Sequence, residues 1–181
     1  MEPLPAFKYH PDPVATGFVE ASESPCLGCN RIRGYIYTGP VDSEKFHYLT
    51  GCLCPWCIAD GIAAKQFGAQ FNDAGSMEDV PQEVRHEIES RTPGFIGWQE
   101  ERWLTCCSDG AAFLGLAGAK ELRDQFPEAI RAVKDHLEED YDLSGVDLEE
   151  FFAALKKDDQ PTAYVFRCLH CRKFLAYVDQ T

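Results

Sequence analysis

Positive charge is scarce in this chain of 181 residues, which has 17 Lys and Arg against 30 Asp and Glu. The formal net charge is therefore -13. Because binding to nucleic acid depends mainly on Lys and Arg contacts with phosphates, nucleic acid is a poor default partner. The apolar fraction of 45% and the charged fraction of 26% are those of a globular protein and argue against a disordered chain.

Long hydrophobic runs are also lacking. No apolar stretch approaches the roughly 18 residues that a membrane-spanning helix needs, so we expect no membrane contact. The N-terminal segment has neither the basic nor the apolar region of a secretory signal, and we predict a cytoplasmic protein. The sequence has no H-E-x-x-H, no G-x-S-x-G and no Ser/His/Asp order, so it indicates no catalytic residue.

Cysteine, by contrast, is plentiful, with nine residues in the chain. A protein in a reducing compartment rarely holds structural disulfides, and an odd count could not be fully paired. Six of the cysteines form three C-x2-C pairs, which in such a protein indicate metal binding or thiol catalysis. The pairs are Cys26 with Cys29, Cys54 with Cys57, and Cys168 with Cys171.

The first two pairs, separated by 24 residues, have the spacing of a zinc ribbon. Two residues between cysteines let a tight turn aim both sulfur atoms at one point, and the backbone N–H groups of the turn can bind the thiolates. Four thiolates complete a tetrahedral zinc site and leave no open position for water or substrate. The pattern therefore predicts a structural zinc site made by Cys26, Cys29, Cys54 and Cys57.

Redox chemistry is the alternative interpretation of the same residues. The CPWC sequence at 54–57 resembles a glutaredoxin active site, where the N-terminus of a helix lowers the pKa of a cysteine. A thioredoxin-like fold requires a βαβ unit before this motif, whereas another C-x2-C pair and two turns precede Cys54. A thiol-disulfide oxidoreductase is therefore kept as the second functional hypothesis.

The third pair, Cys168 and Cys171, lies in the turn of a predicted β-hairpin and supplies half of a second zinc site. Cys106 and Cys107 are the obvious further ligands. Adjacent cysteines point in different directions in most backbones, so other donors for this site stay open. The alternatives are Cys107 with the carboxylate of Asp109, Cys106 alone with the imidazole of His170, or a vicinal redox pair of Cys106 and Cys107.

The shell of this second site is less closed than that of the first, and a hydrolase-like enzyme with a catalytic zinc there is a third functional hypothesis. Cys52, the remaining cysteine, is interpreted as a small apolar residue.

The predicted fold is α+β, with a zinc-ribbon-like N-terminal part, a helical middle and a C-terminal zinc-knuckle β-hairpin. Residues 1–72 would hold a Pro-rich arm, expected to lie on or wrap a surface, and the zinc-ribbon-like module. Residues 73–181 would form a helical part closed by the hairpin, as one globule with the first. Apolar patterns predict helices over 58–72 and 81–91, helices beginning at Pro127 and Asp147, β-like runs at 34–40 and 45–51, and a core segment at 95–117 that contains Trp98 and Trp103.

Several segments resemble the colicin-tolerance CbrC family of small bacterial proteins. They are PLPAFKYHPDPVATG (3–17), RGYIYTGP (33–40), CPWCIADGIAA (54–64), RTPGFIGWQEERWLTCC (91–107) and AYVFRCLHC (163–171). The resemblance implies a cytoplasmic, cysteine-rich protein without an established biochemical activity, genetically linked to tolerance of a DNase-type colicin. The family tends to have His-Cys-x-Asp-x-Cys at 106–111, which supports Cys106 or Cys107 as ligands, whereas Ala111 cannot ligate a metal.

Acidic residues are frequent between positions 138 and 159 and would form either a solvated face or a docking surface for a basic protein. We therefore expect a non-enzymatic protein with structural zinc sites. It would act through contacts with a protein partner, in stress or colicin tolerance.

Overall fold

A computed structural model describes residues 2–75, 77–99 and 101–180 of the chain and shows a mixed helix and sheet fold. The strands are β1 (Val19–Ser22), β2 (Gly34–Tyr37), β3 (Thr105–Cys106), β4 (Asp109–Gly110), β5 (Ala112–Ala117), β6 (Thr162–Arg167) and β7 (Phe174–Asp179). The helices are α1 (Pro55–Ala59), α2 (Ile62–Phe67), α3 (Gln82–Arg91), α4 (Ala119–Asp124), α5 (Ile130–Asp140) and α6 (Gly145–Ala154). A 3-10 turn at Pro127–Ala129 leads into α5.

The strands pair into three small antiparallel sheets. Strands β1 and β2 form one pair, β3 and β4 form another, and β5, β6 and β7 form a three-stranded sheet in that order. The predicted C-terminal hairpin is confirmed as β6 and β7. Three of the cysteine-bearing segments connect paired strands, namely β1 to β2, β3 to β4 and β6 to β7, whereas Cys54 and Cys57 lie at the start of α1.

The three-stranded sheet is buried on both faces, and β6 at its centre shows how. Its side chains alternate between two cores, as the period of two along a strand requires. Tyr164 and Phe166 join a core shared with the N-terminal arm, whereas Ala163 and Val165 pack against the helical layer of α4, α5 and α6. This arrangement explains why the apolar run at 163–166 is continuous rather than alternating.

The N-terminal arm is part of the core rather than a surface wrapping. Phe7, Tyr9 and His10 are buried, and the backbone N–H of Phe113 on β5 donates to the Tyr9 carbonyl at 2.8 Å. The prolines at both ends of this segment keep it extended, which lets it pass beside β5 without belonging to a sheet.

The predicted helix over 58–72 is wrong in its extent, because two shorter helices occupy the region. Helix α1 begins earlier, with Pro55 in its first turn, and Gly61 separates it from α2 with a left-handed φ of 73°. Gly68, with φ of 63°, then ends α2. Glycine adopts this conformation at little cost, so the two glycines set the helix ends.

Other boundaries were predicted more closely. Helix α3 matches the predicted helix over 81–91, whereas α6 begins at Gly145, two residues before the predicted start at Asp147. The segment 45–51 is not a strand, because the Ser43 hydroxyl accepts the backbone N–H groups of Lys45 and Phe46 and turns the chain.

The two tryptophans of the predicted core segment differ. Trp103 is buried, as predicted, and its indole N–H donates to the Ala111 carbonyl at 3.0 Å. Trp98 is 42% exposed, so its placement in the core was wrong.

One hydrophobic cluster includes residues from both sides of the predicted boundary at residue 72, such as Tyr37, Phe71, Phe95 and Phe166. The division into two parts itself stays a prediction. In the described part of the chain, no helix has the length and apolar character needed to cross a membrane.

Candidate metal centres

The first group of cysteines joins a loop to a helix; its members are Cys26, Cys29, Cys54 and Cys57. The first two lie in the loop between β1 and β2, where the Asn30 N–H donates to the Cys26 carbonyl at 2.7 Å and closes a tight turn. The last two lie at the N-cap and in the first turn of α1. The Leu27 N–H donates to the Cys52 carbonyl at 2.8 Å and so connects the loop to the segment before the helix.

The four sulfur atoms of this group have the spacing of a metal site. All lie within 4.8 Å of one another; Cys26 Sγ is 3.6 Å from Cys57 Sγ, and Cys29 Sγ is 3.9 Å from Cys54 Sγ. A tetrahedron with metal–sulfur bonds of about 2.3 Å places its sulfur atoms about 3.8 Å apart. A disulfide would need about 2.0 Å. The group could therefore hold zinc or another thiophilic metal.

The electrostatics of the first group favour the anion of Cys26 and oppose ionisation of Cys54 and Cys57. The Cys54 thiol, together with backbone N–H groups that include that of Cys54 at 3.2 Å, lowers the pKa of Cys26 to about 4. Burial raises the pKa of Cys57 to about 12, and the contact with Cys26 raises the pKa of Cys54 far above its ordinary value. A divalent ion would supply the positive charge that lets all four sulfurs be anions.

The N-terminal arm covers this group from outside. The indole N–H of Trp56 donates to the Pro3 carbonyl at 3.2 Å, and the Arg33 guanidinium lies 4.4 Å from the centre of the Trp56 ring. Arg33 also pairs with the carboxylate of Glu2. Under this cover, three of the four cysteines are buried, and Cys29 is half-buried.

The close approach of the first C-x2-C turn to Cys57 also requires a glycine within that turn. A Cβ atom on Gly28 would lie 3.2 Å from Cys57 Sγ, closer than most Cβ contacts allow. The backbone of the first turn therefore passes directly beside a sulfur atom of the second.

The second group combines the β3–β4 turn with the β6–β7 turn; its members are Cys106, Cys107, Cys168 and Cys171. Cys106 pairs with Asp109 across β3 and β4, and Cys107 and Ser108 form the two-residue turn between them. Both turn residues have left-handed backbones, with φ of 55° and 58°. Positive φ at both positions is the pattern of the tight hairpin turn that usually holds Asn-Gly.

This left-handed turn solves the difficulty that the sequence raised about adjacent cysteines. It redirects the backbone at Cys107, so that the side chains of Cys106 and Cys107 both reach the second group of sulfur atoms. Non-glycine residues in this conformation store strain, which concentrates at functional sites. The turn is therefore a further sign that the position of Cys107 is constrained.

The sulfur atoms of the second group also have metal-site spacing. Cys106 Sγ is 3.7 Å from both Cys107 Sγ and Cys171 Sγ, and all four sulfur atoms lie within 4.8 Å of one another. Burial opposes the ionisation of Cys168, but the backbone N–H groups of Cys171 and His170 lower its pKa to about 6. Burial and the neighbouring sulfurs raise the pKa of Cys106 to about 12.

Asp109 links the second group to the N-terminal arm. Its buried carboxylate accepts hydrogen bonds from the Tyr9 hydroxyl at 2.7 Å and from the Lys8 ammonium at 3.0 Å, and His170 Nε2 lies 2.8 Å away. Although burial acts in the opposite direction, these partners lower the pKa of Asp109. Asp109 and His170, left open as ligands by the sequence, contact each other while four sulfur atoms form the group.

The structure thus brings the eight predicted cysteines together as two groups of four, and Cys52 belongs to neither. That they ligate a metal stays a proposal. Sequence reasoning missed Lys8 and Tyr9, which lie about a hundred residues from Asp109 in the chain. No spacing rule relates residues so far apart, so no signal in the sequence could have identified them.

Away from the cysteines, one cavity of about 390 Å³ has an acidic lining that includes Asp42, Asp73, Glu89 and Glu101. Burial, with a smaller contribution from Asp73, raises the pKa of Glu101 to about 8. Its Oε1 atom is buried and has no hydrogen-bond partner in the described part of the chain.

Comparison with known proteins identifies a family. The family model described as "Uncharacterised protein family (UPF0167)" matches residues 4–180. UPF0167 protein Mb2317 of Mycobacterium bovis is 48% identical over 178 residues, which cover 97% of this chain and 93% of the relative. UPF0167 protein PA1536 of Pseudomonas aeruginosa is 41% identical over 172 residues, which cover 93% of each chain. No solved structure matches this chain significantly.

Proposed function

This chain belongs to the UPF0167 family, and we propose that it is a zinc protein with two structural sites of four thiolates each. The observation that carries the proposal is the spacing of the sulfur atoms. Two pairs lie 3.6 and 3.9 Å apart in the first group and two pairs lie 3.7 Å apart in the second, with all four sulfurs of each group within 4.8 Å of one another. A zinc–tetrathiolate tetrahedron has about 3.8 Å between its sulfurs. Both sites join segments that are distant in the chain. Metal binding would therefore contribute directly to folding.

Zinc is the ion we propose because soft thiolate ligands in tetrahedral geometry select zinc or iron–sulfur chemistry. Zinc has no redox chemistry of its own and suits a closed structural site. The first group, with two turns in the register of a zinc ribbon, is the better candidate for this role. We propose that these two turns and the metal form a zinc-ribbon-like module.

Metal analysis by native mass spectrometry tests the proposal. We expect two zinc ions per chain, released by a strong chelator together with loss of folded structure and exposure of eight further thiols. Cys54→Ser should reduce the count to one, whereas Cys52→Ser is a matched control that keeps both ions. A folded protein without metal, or with another ion in both sites, would contradict the proposal.

The oxidoreductase hypothesis is less favoured by the same geometry. Cys54 has no exposed surface, and the contact with the Cys26 sulfur, together with burial, raises rather than lowers its pKa. The sheets described here are antiparallel, whereas a thioredoxin-like fold needs a parallel βαβ unit. Disulfide exchange by the metal-free protein that is abolished in Cys54→Ser would restore that hypothesis.

The hydrolase-like hypothesis requires an open position on the second ion. Four sulfur atoms lie within 4.8 Å of one another there, and a tetrahedron filled by four thiolates has no place for a catalytic water. Spectroscopy of the cobalt-substituted protein distinguishes the two cases. We expect the spectrum of four thiolate ligands rather than that of three with a solvent molecule.

For the partner, we propose a basic protein that docks on the acidic segment of α5 and α6. Glu138, Glu139 and Glu150 are exposed there, and the net charge is -13. Such a surface raises the rate of association with a positively charged partner. The partner captured by the wild type should be a basic protein. Its capture should be lost at high salt, and also when these three residues are changed to Lys. Equal capture by wild type and variant would contradict the proposal.

We also propose that this contact serves tolerance of stress, including a DNase-type colicin. A strain lacking the gene should become more sensitive to the toxin. The wild type should restore tolerance, and Cys54→Ser should not. Full restoration by Cys54→Ser would separate the phenotype from the first site.

A further inference from the structure

The two cysteine groups differ sharply in their access to solvent. In the first group, Cys26, Cys54 and Cys57 are each at most 1% exposed. In the second group, Cys107 and Cys171 are exposed, Cys106 is half-buried and Cys168 is fully buried. Reagents dissolved in water therefore reach the second group far more easily than the first.

The cause of the difference is the position of each group in the fold. The first group lies beneath Trp56, whose indole is held by the Pro3 carbonyl and the Arg33 guanidinium. The second group lies where two hairpin turns meet, with Cys107 in the tight β3–β4 turn and Cys171 just before the left-handed Arg172. The hydrogen bonds of Asp109 with Tyr9 and His170 connect these turns to the N-terminal arm.

Two sulfur atoms of the second group are also placed to react with each other. Cys171 is an exposed residue, and its Sγ lies 3.7 Å from Cys106 Sγ on a different turn. Accessible thiolates with a second cysteine nearby are the ones that oxidants modify, whereas buried cysteines are inert. A shift of about 1.7 Å would bring this pair to disulfide distance.

We propose that the second group is a modification site for peroxides, at which Cys171 and Cys106 are oxidised to a disulfide and the metal ion is released. This inference rests on the proposed zinc function for the released ion. It distinguishes the two sites: the first is a permanent structural site, and the second responds to oxidant.

The chemistry balances with hydrogen peroxide as the oxidant. The Cys171 thiolate attacks one peroxide oxygen, the O–O bond breaks, and a sulfenic acid and a hydroxide ion form. The Cys106 thiolate then attacks the Cys171 sulfur, the S–O bond breaks, and a second hydroxide leaves. Two electrons have passed from the two sulfurs to the two peroxide oxygens, and protons from solvent convert both hydroxides to water. With only Cys107 and Cys168 left as thiolates, the site loses half of its ligands and its metal.

The experiment uses the full-length Cys52→Ser protein, so that thiols outside the two groups do not react. The metal count of the untreated protein tests the proposed function by itself. Hydrogen peroxide is then added in small molar excess, and released metal, free thiols and disulfide-linked peptides are followed in time. We expect release of one ion of two, loss of two thiols, and a peptide that joins Cys106 to Cys171. A thiol reductant with added zinc should restore the second ion.

Three results would overturn the inference. The first is equal rates of metal loss from both groups, and the second is a disulfide within the first group. The third is oxidation of the second group through another pair, such as Cys168 with Cys171. If the untreated protein holds no metal, the proposed function fails, and the disulfide mapping still decides whether Cys106 and Cys171 are the oxidised pair.

Discussion

His10 gives the sharpest quantitative prediction, because this residue of the N-terminal arm is fully buried in the core beside β5. Its Nδ1–H donates to the Pro93 carbonyl at 2.8 Å, and Nε2 accepts from the Thr16 hydroxyl at 2.6 Å in the neutral ring. The edge of the ring contacts Phe113 with centroids 5.1 Å apart. The Pro93 carbonyl can only accept, so Nδ1 carries the proton of the neutral ring, and the Thr16 hydroxyl is the partner of Nε2.

Burial lowers the pKa of His10 from 6.5 to about 4. Between these two pH values the unfolded chain binds a proton that the folded chain does not, so stability falls as the pH falls. At 1.36 kcal/mol for each factor of ten, the full loss is about 3 kcal/mol. It begins as the pH drops below 6.5 and is complete near pH 4.

The assay compares wild type with His10→Gln by urea unfolding between pH 7.5 and pH 4. Glutamine cannot take up a proton, so the stability difference between the two proteins should narrow by about 3 kcal/mol as the pH falls. The loss of ring packing is independent of pH, and both proteins keep all nine cysteines, so acid release of metal cancels in the difference. A stability difference that stays constant over this range would refute the reasoning.

Three further substitutions test other parts of the structure. Gly28→Ala should speed loss of zinc from the first site to a chelator and destabilise the protein by about 1 kcal/mol, because its methyl group meets Cys57 Sγ; an unchanged release rate would contradict this. Asp109→Asn should cost about 2 kcal/mol in thermal unfolding and weaken zinc binding at the second site while sparing the first; equal effects on both sites would contradict the linkage to His170. Glu101→Gln should stabilise the protein by about 3 kcal/mol at pH 7 in urea unfolding and have little effect near pH 4.5. The reason is that the raised pKa of the Glu101 carboxyl makes the stability of the wild type fall between pH 4.5 and about 8. A variant less stable than the wild type at pH 7 would contradict this prediction.

The parts of the structure that local spacing controls could be predicted from the sequence. The C-x2-C turns identified six of the eight grouped cysteines, because two intervening residues fix the geometry of the turn. The β-like apolar runs on either side of the third C-x2-C turn predicted β6 and β7, and the stripe on the last helix predicted most of α6. In each case the relevant contacts lie within a few residues of one another.

The remaining features depend on contacts that local spacing does not encode. Cys106 and Cys107 could both join the second group only because the backbone at Cys107 and Ser108 is left-handed, a conformation that few residue types favour. The burial of Phe7 and Tyr9 depends on β5, about a hundred residues further along. Gly61 divided a helix that apolar periodicity alone had made continuous.

The pairing of the arm with distant residues has a consequence for biosynthesis. Tyr9 leaves the ribosome long before Asp109 and Phe113, its hydrogen-bonding partners. At about 5–20 residues per second, the nascent arm waits several seconds with its aromatic side chains uncovered. The second cysteine group waits longer still, since Cys171 follows Asp109 and Phe113 in the chain. Chaperones that bind exposed aromatic segments would therefore meet Phe7 and Tyr9 before β5 has been translated.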